Sequence, residues 1–526
     1  MGIYLNPNNE NFKAIISREI YVDKTMLIAA INRFMDRDNK YICISRPRRF
    51  GKTMASEMLS AYYSKGCDSS GIFKAFQIAS DETYEEKRNH YNVIKLDINS
   101  EYQNVKDKNN LINIISEKVK EELKAAFSDV TIKEEDSLAE AILNIHALRN
   151  ETFVIILDEY DVLVREKVSK TLFNTYLGFL NGLFKSATLR PAISLAYLTG
   201  ILPIARDKVQ SKLNNFAEYT IIDADGLSEY VGFTDDEVRA LCEGHGIDYK
   251  QCRLWYDGYK QHGYEIYNPE SVVQSIERKR FDSYWGITST YEAIAELIRM
   301  NFKGTRDSVI RMLAGESIPV KVNRFRNMLD SFTTAGDIFT YLIHLGYLSY
   351  DIEDKSCRIP NKEVSEEWVN AIEAESEYEI TNQIVQESKA LLRATIEGDE
   401  VAVAKALDQS HMHVTSNRGY NNEDALQSAI YLAYIYALNE YTIIREMTAG
   451  KGFADVTFIP VHEGNPAMII ELKRNSSSDS ALNQIKERKY YDSLTHYQGD
   501  LIFVGINYDE KDKTHICAIE RFEKEI

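Results

Sequence analysis

Residues 40–53 read KYICISRPRRFGKT and run on into MASEMLSAYYS (54–64). Residues 40–45 form a short apolar, β-rich run, a Pro/Arg/Gly turn follows, and a helical pattern begins at Lys52. Strand, turn and helix in that order are the setting a phosphate-binding loop requires. The turn Arg46-Pro47-Arg48-Arg49-Phe50-Gly51 would present backbone N–H groups in front of a helix N-terminus. Lys52 would then reach β- and γ-phosphates, and the Thr53 hydroxyl would meet magnesium. The usual first residue of such a loop is Gly and here it is Arg46, so on its own the stretch also reads as a basic turn capping a helix.

Working outward, VIKLDI (93–98), TFVIILD (152–158) and AISLAYLTG (192–200) repeat the apolar run, separated by amphipathic helical stretches. That alternation predicts a parallel sheet covered by helices on both faces, with the first 25 residues as an ordered lead-in. TFVIILD ends in Asp158, about 105 residues after Thr53, where a carboxylate can hold magnesium, and Glu159 follows where a water-activating carboxylate is expected. The third run brings Thr199 to the same carboxyl edge, as a γ-phosphate sensor or as a satisfied strand-end Thr. Arg206 fits a phosphate contact less well than a surface salt bridge.

The chain has 526 residues, enough for about three domains. A net charge of −18 argues against coating nucleic acid or anionic membrane by bulk electrostatics, and leaves room for a local basic groove. Residues 361–410 hold 4 Lys/Arg against 12 Asp/Glu and read as solvated linking helices. Six scattered cysteines without a CxxC pair indicate neither a zinc knuckle nor a disulfide framework, and fit a reducing cytoplasm. No leader, myristoylation signal or membrane-spanning run is visible. Three domains are expected: 1–226 around the phosphate loop, 227–410 as a connector, and 411–526. Within the connector, WYDGYKQHGYEIYNPESVV (255–273) reads as short helices and turns, and DIFTYLIHLGYLSYD (337–351) with KSCRIPNKEV (355–364) reads as a helix feeding a hairpin, compatible with a winged helix.

The last segment has an αβββαβ order: a helical pattern at 422–438, strands YTIIREM, FADVTFIP and PAMIIELK, a helix from 478 to about 493, then LIFVGI and HICAIE. Strand alternation puts Glu471 and Lys473 on one face, and a hairpin brings Asp455 alongside. Two carboxylates with the Leu472 carbonyl make a hard-oxygen magnesium site, and Lys473 can orient or deprotonate an attacking water. Glu423 is a candidate third carboxylate, and Gln484 and Lys489 on the following helix either position phosphate or form a solvated face. His411-Met412-His413 has metal-like spacing for a strand but no further His or Cys nearby.

Together these stretches resemble a bacterial family, the AAA-ATPase-like proteins with a C-terminal PD-(D/E)XK nuclease-like domain. Its landmarks stand here as YVDKT (21–25), RPRRFGKT (46–53), LDEYD (157–161), LTGILPIA (198–205), KLNNF (212–216), WYDGY (255–259), YNPESV (267–272), GYLSY (346–350), GKGFADVTFIP (450–460), IIELK (469–473) and QIKERKYY (484–491). The family's loop commonly reads RPRRFGK, so Arg46 in place of Gly is a family trait. The resemblance implies an α/β P-loop NTPase of the AAA/STAND-like type, a helical and winged-helix-like connector, and a restriction-endonuclease-like C-terminal domain. It also implies ATP and Mg2+ as cofactors, with Asp455, Glu471 and Lys473 matching the nuclease core.

The leading expectation is an ATP-binding ATPase coupled to a magnesium-dependent nuclease-like domain acting on DNA or RNA, with a protein partner or a homo-oligomer as further partners. Nucleic acid would meet a local basic groove at Lys473, Arg474, Lys486, Arg488 and Lys489. Two other readings stand beside it: an ATP-dependent switch or scaffold whose C-terminal fold binds without cleaving, and a defence or mobile-element effector.

Overall fold

The run that opens the phosphate loop forms β1 (Tyr41–Ser45), and all five of its residues are buried. The computed structural model describes the chain apart from residues 1, 167, 205–212, 286–291, 301, 314, 323–331, 374–378, 415–425, 427–429, 432, 450, 451, 461–463, 491–493, 495, 496, 498 and 523–526. Two compact units divide it, residues 1–282 with 319–357 and residues 283–318 with 358–526.

In the first unit, β1 joins β2 (Asn92–Asp97), β3 (Phe153–Asp158), β4 (Ile193–Gly200) and β5 (Ala217–Tyr219) in the order β2-β3-β4-β1-β5. Every neighbouring pair is parallel. Ile42, Ile44, Ile156 and Leu157 are fully buried, each worth about 1.5–3 kcal/mol. β1, β3 and β4 are buried along their whole length, which is why they read as continuous apolar runs without alternation. β4 separates β1 from β3, so the loop after β1 and the carboxylates after β3 flank one strand end. Crossover helices supply the cover. Leu138–Arg149 starts at a Ser137/Glu140 capping box and stops at Asn150, whose φ is 53°.

Between 227 and 300 the structure departs from helices and turns alone: β6 (Phe233–Thr234), β7 (Tyr259–Gln261) and β8 (Tyr264–Tyr267) form an antiparallel sheet in the order β6-β8-β7. Gln261 pairs with Tyr264, so His262 and Gly263 make a two-residue turn, and their φ values of 46° and 87° are those of a type I′ hairpin. Further on, β9 (Ile318–Pro319) adds to a small sheet, and the helix Ala335–Leu345 feeds β10 (Ser349–Asp351) and β11 (Ser356–Arg358) as read from the sequence.

The second unit carries β12 (Tyr441–Ala449), β13 (Gly452–Pro460), β14 (Ala467–Arg474), β15 (Leu501–Asp509) and β16 (Thr514–Phe522), in that order across one sheet. Only β14 and β15 run parallel, and the helix Ser478–Glu487 is the crossover that a parallel pair needs. Gly505 lets that helix approach, since a Cβ there would lie 2.3 Å from the Ser478 carbonyl oxygen. The acidic stretch forms the helices Lys362–Glu373, Glu379–Glu397 and Glu400–Val414. His411-Met412-His413 lies in the last of these, so strand spacing does not apply to it. Within the helical pattern at 422–438, residues 422–425, 427–429 and 432 lie outside the described residues, and the pattern ends in a 3-10 helix, Ile435–Asn439. All six cysteines are free thiols. Among the described residues no helix is long and apolar enough to cross a membrane.

Candidate nucleotide site and carboxylate site

The loop after β1 turns into the helix Lys52–Tyr63 at Gly51, whose φ of 87° lies in the left-handed region that glycine tolerates best. Arg46, in the position usually held by Gly, faces away from the loop interior. Its guanidinium is buried, and Nη1 donates to the carbonyls of Ser45 and Tyr219 at 2.9 Å each. Burial pushes its pKa down to about 10. The Pro47 carbonyl accepts from Lys52 Nζ at 2.8 Å, which ties the loop across its own mouth. Arg46 and Pro47 therefore shape the loop, whereas Arg48, Arg49, Phe50, Gly51, Lys52 and Thr53 line a cleft of about 980 Å³. That is within the range of small-molecule sites.

At the end of β3, Asp158 is buried, accepts from Ser56 Oγ at 3.2 Å and hydrogen-bonds to the Thr53 side chain. Burial pushes its pKa up to about 6, against the Thr53 bond that lowers it. Lys52 is itself buried, which lowers its pKa, while Glu159, Asp161 and Asp158 favour its charge. A desolvated lysine beside a desolvated aspartate and a threonine hydroxyl fits a phosphate with its magnesium ion, each supplying the charge the other lacks. Thr199 Oγ1 is buried at the end of β4 with no partner among the described residues, and Thr199 pairs in register with Ile44 of β1. Arg206 lies outside the described residues.

Three cleft residues are absent from the sequence reading. Asp97, at the end of β2, pairs in register with Asp158. Lys24, in YVDKT, donates to the Glu229 carbonyl at 2.6 Å and Glu237 Oε2 at 2.5 Å, binding the lead-in segment to the cleft wall. Arg165 Nη2 donates to Glu159 Oε2 at 2.5 Å. The first two lie in motifs whose sequence signal was already visible; Arg165 had none.

In the second unit, the described pairing of β13 with β14 runs from Phe458–Met468 to Val456–Ile470 and stops there. One residue further, Asp455 Oδ2 accepts the Leu472 N–H at 2.7 Å, so a carboxylate stands where a ladder carbonyl would continue the sheet. Glu471 is 2% exposed; its Oε1 accepts from Lys473 Nζ at 3.0 Å and from the Gln484 amide, while Oε2 has no partner among the described residues. Burial and then the Asp455 charge push its pKa up to about 7, and Lys473 pulls the other way. An orphaned carboxylate oxygen beside a second carboxylate fits a divalent cation held by Asp455, Glu471 and the Leu472 carbonyl.

Gln484 also donates to Tyr490 Oη at 3.1 Å. Lys489 lies beyond the helix, which ends at Glu487, and takes a φ of 50°. Of the expected groove cations, Arg474 pairs with Glu510 at 2.7 Å and Lys486 with Glu520, so the local positive charge is partly offset. Glu423 lies outside the described residues, and among the described residues no group of three or more His, Cys, Asp or Glu side chains is placed to hold a metal.

A parallel sheet with a glycine-turned loop, Lys-Thr at a helix start and an Asp-Glu strand end defines a P-loop NTPase module, followed by an antiparallel-parallel sheet of nuclease type. Residues 8–210 match the model of the AAA-ATPase-like family, described as "Predicted AAA-ATPase", and residues 421–517 match the PD-(D/E)XK nuclease superfamily. The chain carries an AAA-ATPase-like domain and a C-terminal PD-(D/E)XK nuclease-superfamily domain. An uncharacterized protein in the vnfD 5′ region of Azotobacter chroococcum mcd 1 is 25% identical over 286 residues, 53% of this chain and 52% of the relative. The chain thus spans about half the length of that curated relative.

Among solved structures, the Aeropyrum pernix ORC2 protein in ADPNP-ADP complexes aligns over 70% of this chain and 99% of its own at 11% identity, with a TM-score of 0.30. Cdc6p from Pyrobaculum aerophilum covers the same shares at 10% identity and a TM-score of 0.24. C. elegans PCH-2 aligns over 47% of this chain and 53% of its own at 13% identity and a TM-score of 0.24.

Proposed function

We propose that this protein is an ATP-binding P-loop ATPase coupled to magnesium-dependent cleavage of nucleic-acid phosphodiesters. The observation that carries the nuclease half is the meeting of Asp455, Glu471 and Lys473 at the point where β13 and β14 part. In the cleft, the loop N–H groups and Lys52 bind the β- and γ-phosphates, Thr53 and Asp158 hold magnesium, and Thr199 Oγ1 is placed to sense the γ-phosphate. Glu159 orients a water towards the γ-phosphorus and takes its proton as the bond to the β-phosphate oxygen breaks, leaving ADP and phosphate. In the second site, Lys473 orients the water that attacks the phosphodiester phosphorus as the P–O bond to one sugar oxygen breaks. The water's proton ends on that oxygen, leaving a phosphomonoester and a hydroxyl end, and Asp455 with Glu471 would hold the cation. Magnesium there supplies charge neutralisation at the phosphate oxygens. The helix–hairpin segment 335–358 serves as a winged-helix-like connector that engages a partner, and the protein works in the cytoplasm.

Burial of Glu471 favours a second reading, a nucleotide switch whose C-terminal fold recognises nucleic acid or protein without cutting it. Purified protein incubated with Mg2+ or Mn2+ and plasmid, linear and single-stranded DNA and RNA separates the two. Cleavage that disappears in Asp455→Ala and Lys473→Ala is the expected result. No cutting of any substrate, or variants that cut like the wild type, would leave only the switch.

A further inference from the structure

Glu159 is the carboxylate that ATP turnover requires to face water, yet it is tied to a cation. Arg165 Nη2 donates to Glu159 Oε2 at 2.5 Å, and Arg165 Nε donates to Asp161 Oδ2 at 3.0 Å. Asp161 is a fixed anchor: it is buried, and the same Oδ2 accepts the backbone N–H groups of Ile201 and Leu202 at 3.1 and 2.9 Å. The guanidinium is therefore pinned at its Nε edge, while its Nη2 end meets a carboxylate that lines the same cleft as Lys52. Glu159 and Asp161 lie in the turn after β3, and Arg165 is the last residue of the one-turn helix Val162–Arg165 that follows, so their spacing is set locally.

A guanidinium offers the same donor fork to a carboxylate and to a phosphate, so a γ-phosphate entering beside Lys52 competes with Glu159 for Arg165. We propose that Arg165 reads the γ-phosphate: it restrains Glu159 until a nucleoside triphosphate takes over its Nη2 hydrogen bond, and only then is Glu159 released to orient water. ADP has no γ-phosphate and leaves the Arg165–Glu159 bond in place. Arg165 is thus a positioning residue that acts through Glu159, and this inference rests on the nucleotide reading of the cleft.

Titration calorimetry of the whole chain with Mg2+, ADP and a non-hydrolysable ATP analogue tests it. The wild type should prefer the analogue, and Arg165→Gln should reduce that preference by about 10-fold or more, the worth of one charge-assisted hydrogen bond, with ADP affinity within about twofold. Arg165→Lys, which keeps the charge without the fork, should recover part of the preference. An unchanged preference in both variants, or an equal loss for both ligands, overturns the proposal, the latter indicating a purely structural ion pair. Should the variants fail to fold, hydrogen exchange of the wild type decides: protection across residues 159–166 should change with the analogue and not with ADP, and an identical response to both overturns the idea. Lys52→Ala serves as the separate control, because undiminished binding of both nucleotides in that variant would remove the nucleotide site itself.

Discussion

The two candidate sites solve opposite electrostatic problems. In the first unit, Lys52, Arg48 and Arg49 line a cleft of about 980 Å³, and the loop is held in shape by the Lys52–Pro47 bond and the glycine turn. In the second, Asp455 and Glu471 crowd one strand parting with Lys473 as their partner, and Glu471 is pushed up to a pKa of about 7. On the proposed reading the first site takes an anion that arrives with its own cation, whereas the second carries negative charge that a cation would relieve. Asp158, a carboxylate of the first site, is pushed up to about 6 by burial, and it sits against Thr53, where magnesium is proposed.

Substitutions break this contrast in graded ways. The largest effect is expected for Glu159→Gln: ATP turnover falls about 10²–10⁴-fold, the usual worth of a positioned general base, while nucleotide affinity stays within about threefold. Steady-state phosphate release with parallel calorimetry checks both halves. Lys52→Ala comes next and should weaken ATP binding by about 10–100-fold, as loss of a charged hydrogen-bond donor implies, with any metal-dependent cleavage in the absence of ATP unchanged.

Glu471→Gln acts on stability in the opposite sense to most buried substitutions. The folded carboxyl holds its proton up to about pH 7, whereas the ordinary value is 4.5. Its ionisation therefore costs the fold: this contribution to stability is greatest below about pH 4.5 and declines as the pH rises to about 7. Removing the charge should raise stability at pH 8 by about 2 kcal/mol in metal-free buffer, a gain that shrinks towards pH 5. Denaturant unfolding at both pH values measures it. The smallest expected effect is Gly51→Ala, at about 1–2 kcal/mol: no atom lies within 4 Å of the added Cβ, so the cost is the left-handed backbone alone.

Much of this was legible in the sequence because it rests on local pattern. The apolar runs of β1–β4 and β12–β16 are long enough to be read without their neighbours, and the loop and strand-end carboxylates sit at fixed offsets from them. What escaped depends on contacts that pattern does not encode. β5 has three residues, Ala217–Tyr219, including a charged Glu218, and exists because β1 offers it an edge. The β7–β8 hairpin turns on His262-Gly263, a weaker signal than Asn-Gly. Lys489 belongs to the helical pattern by composition, but the helix stops two residues earlier. Arg165 meets Glu159 six residues upstream only because the chain turns from strand to helix between them, a geometry that spacing along one element cannot show.

The central claim, that an ATP site governs a nuclease-like site in one chain, is tested most directly by the initial rate of nucleic-acid cleavage in Mg2+ with and without ATP, in the wild type and in Lys52→Ala. The account predicts that ATP changes the wild-type rate and leaves the Lys52→Ala rate unaltered, with Asp455→Ala inactive under both conditions. A wild-type rate that is the same with and without ATP, or an ATP response that survives Lys52→Ala, would contradict it.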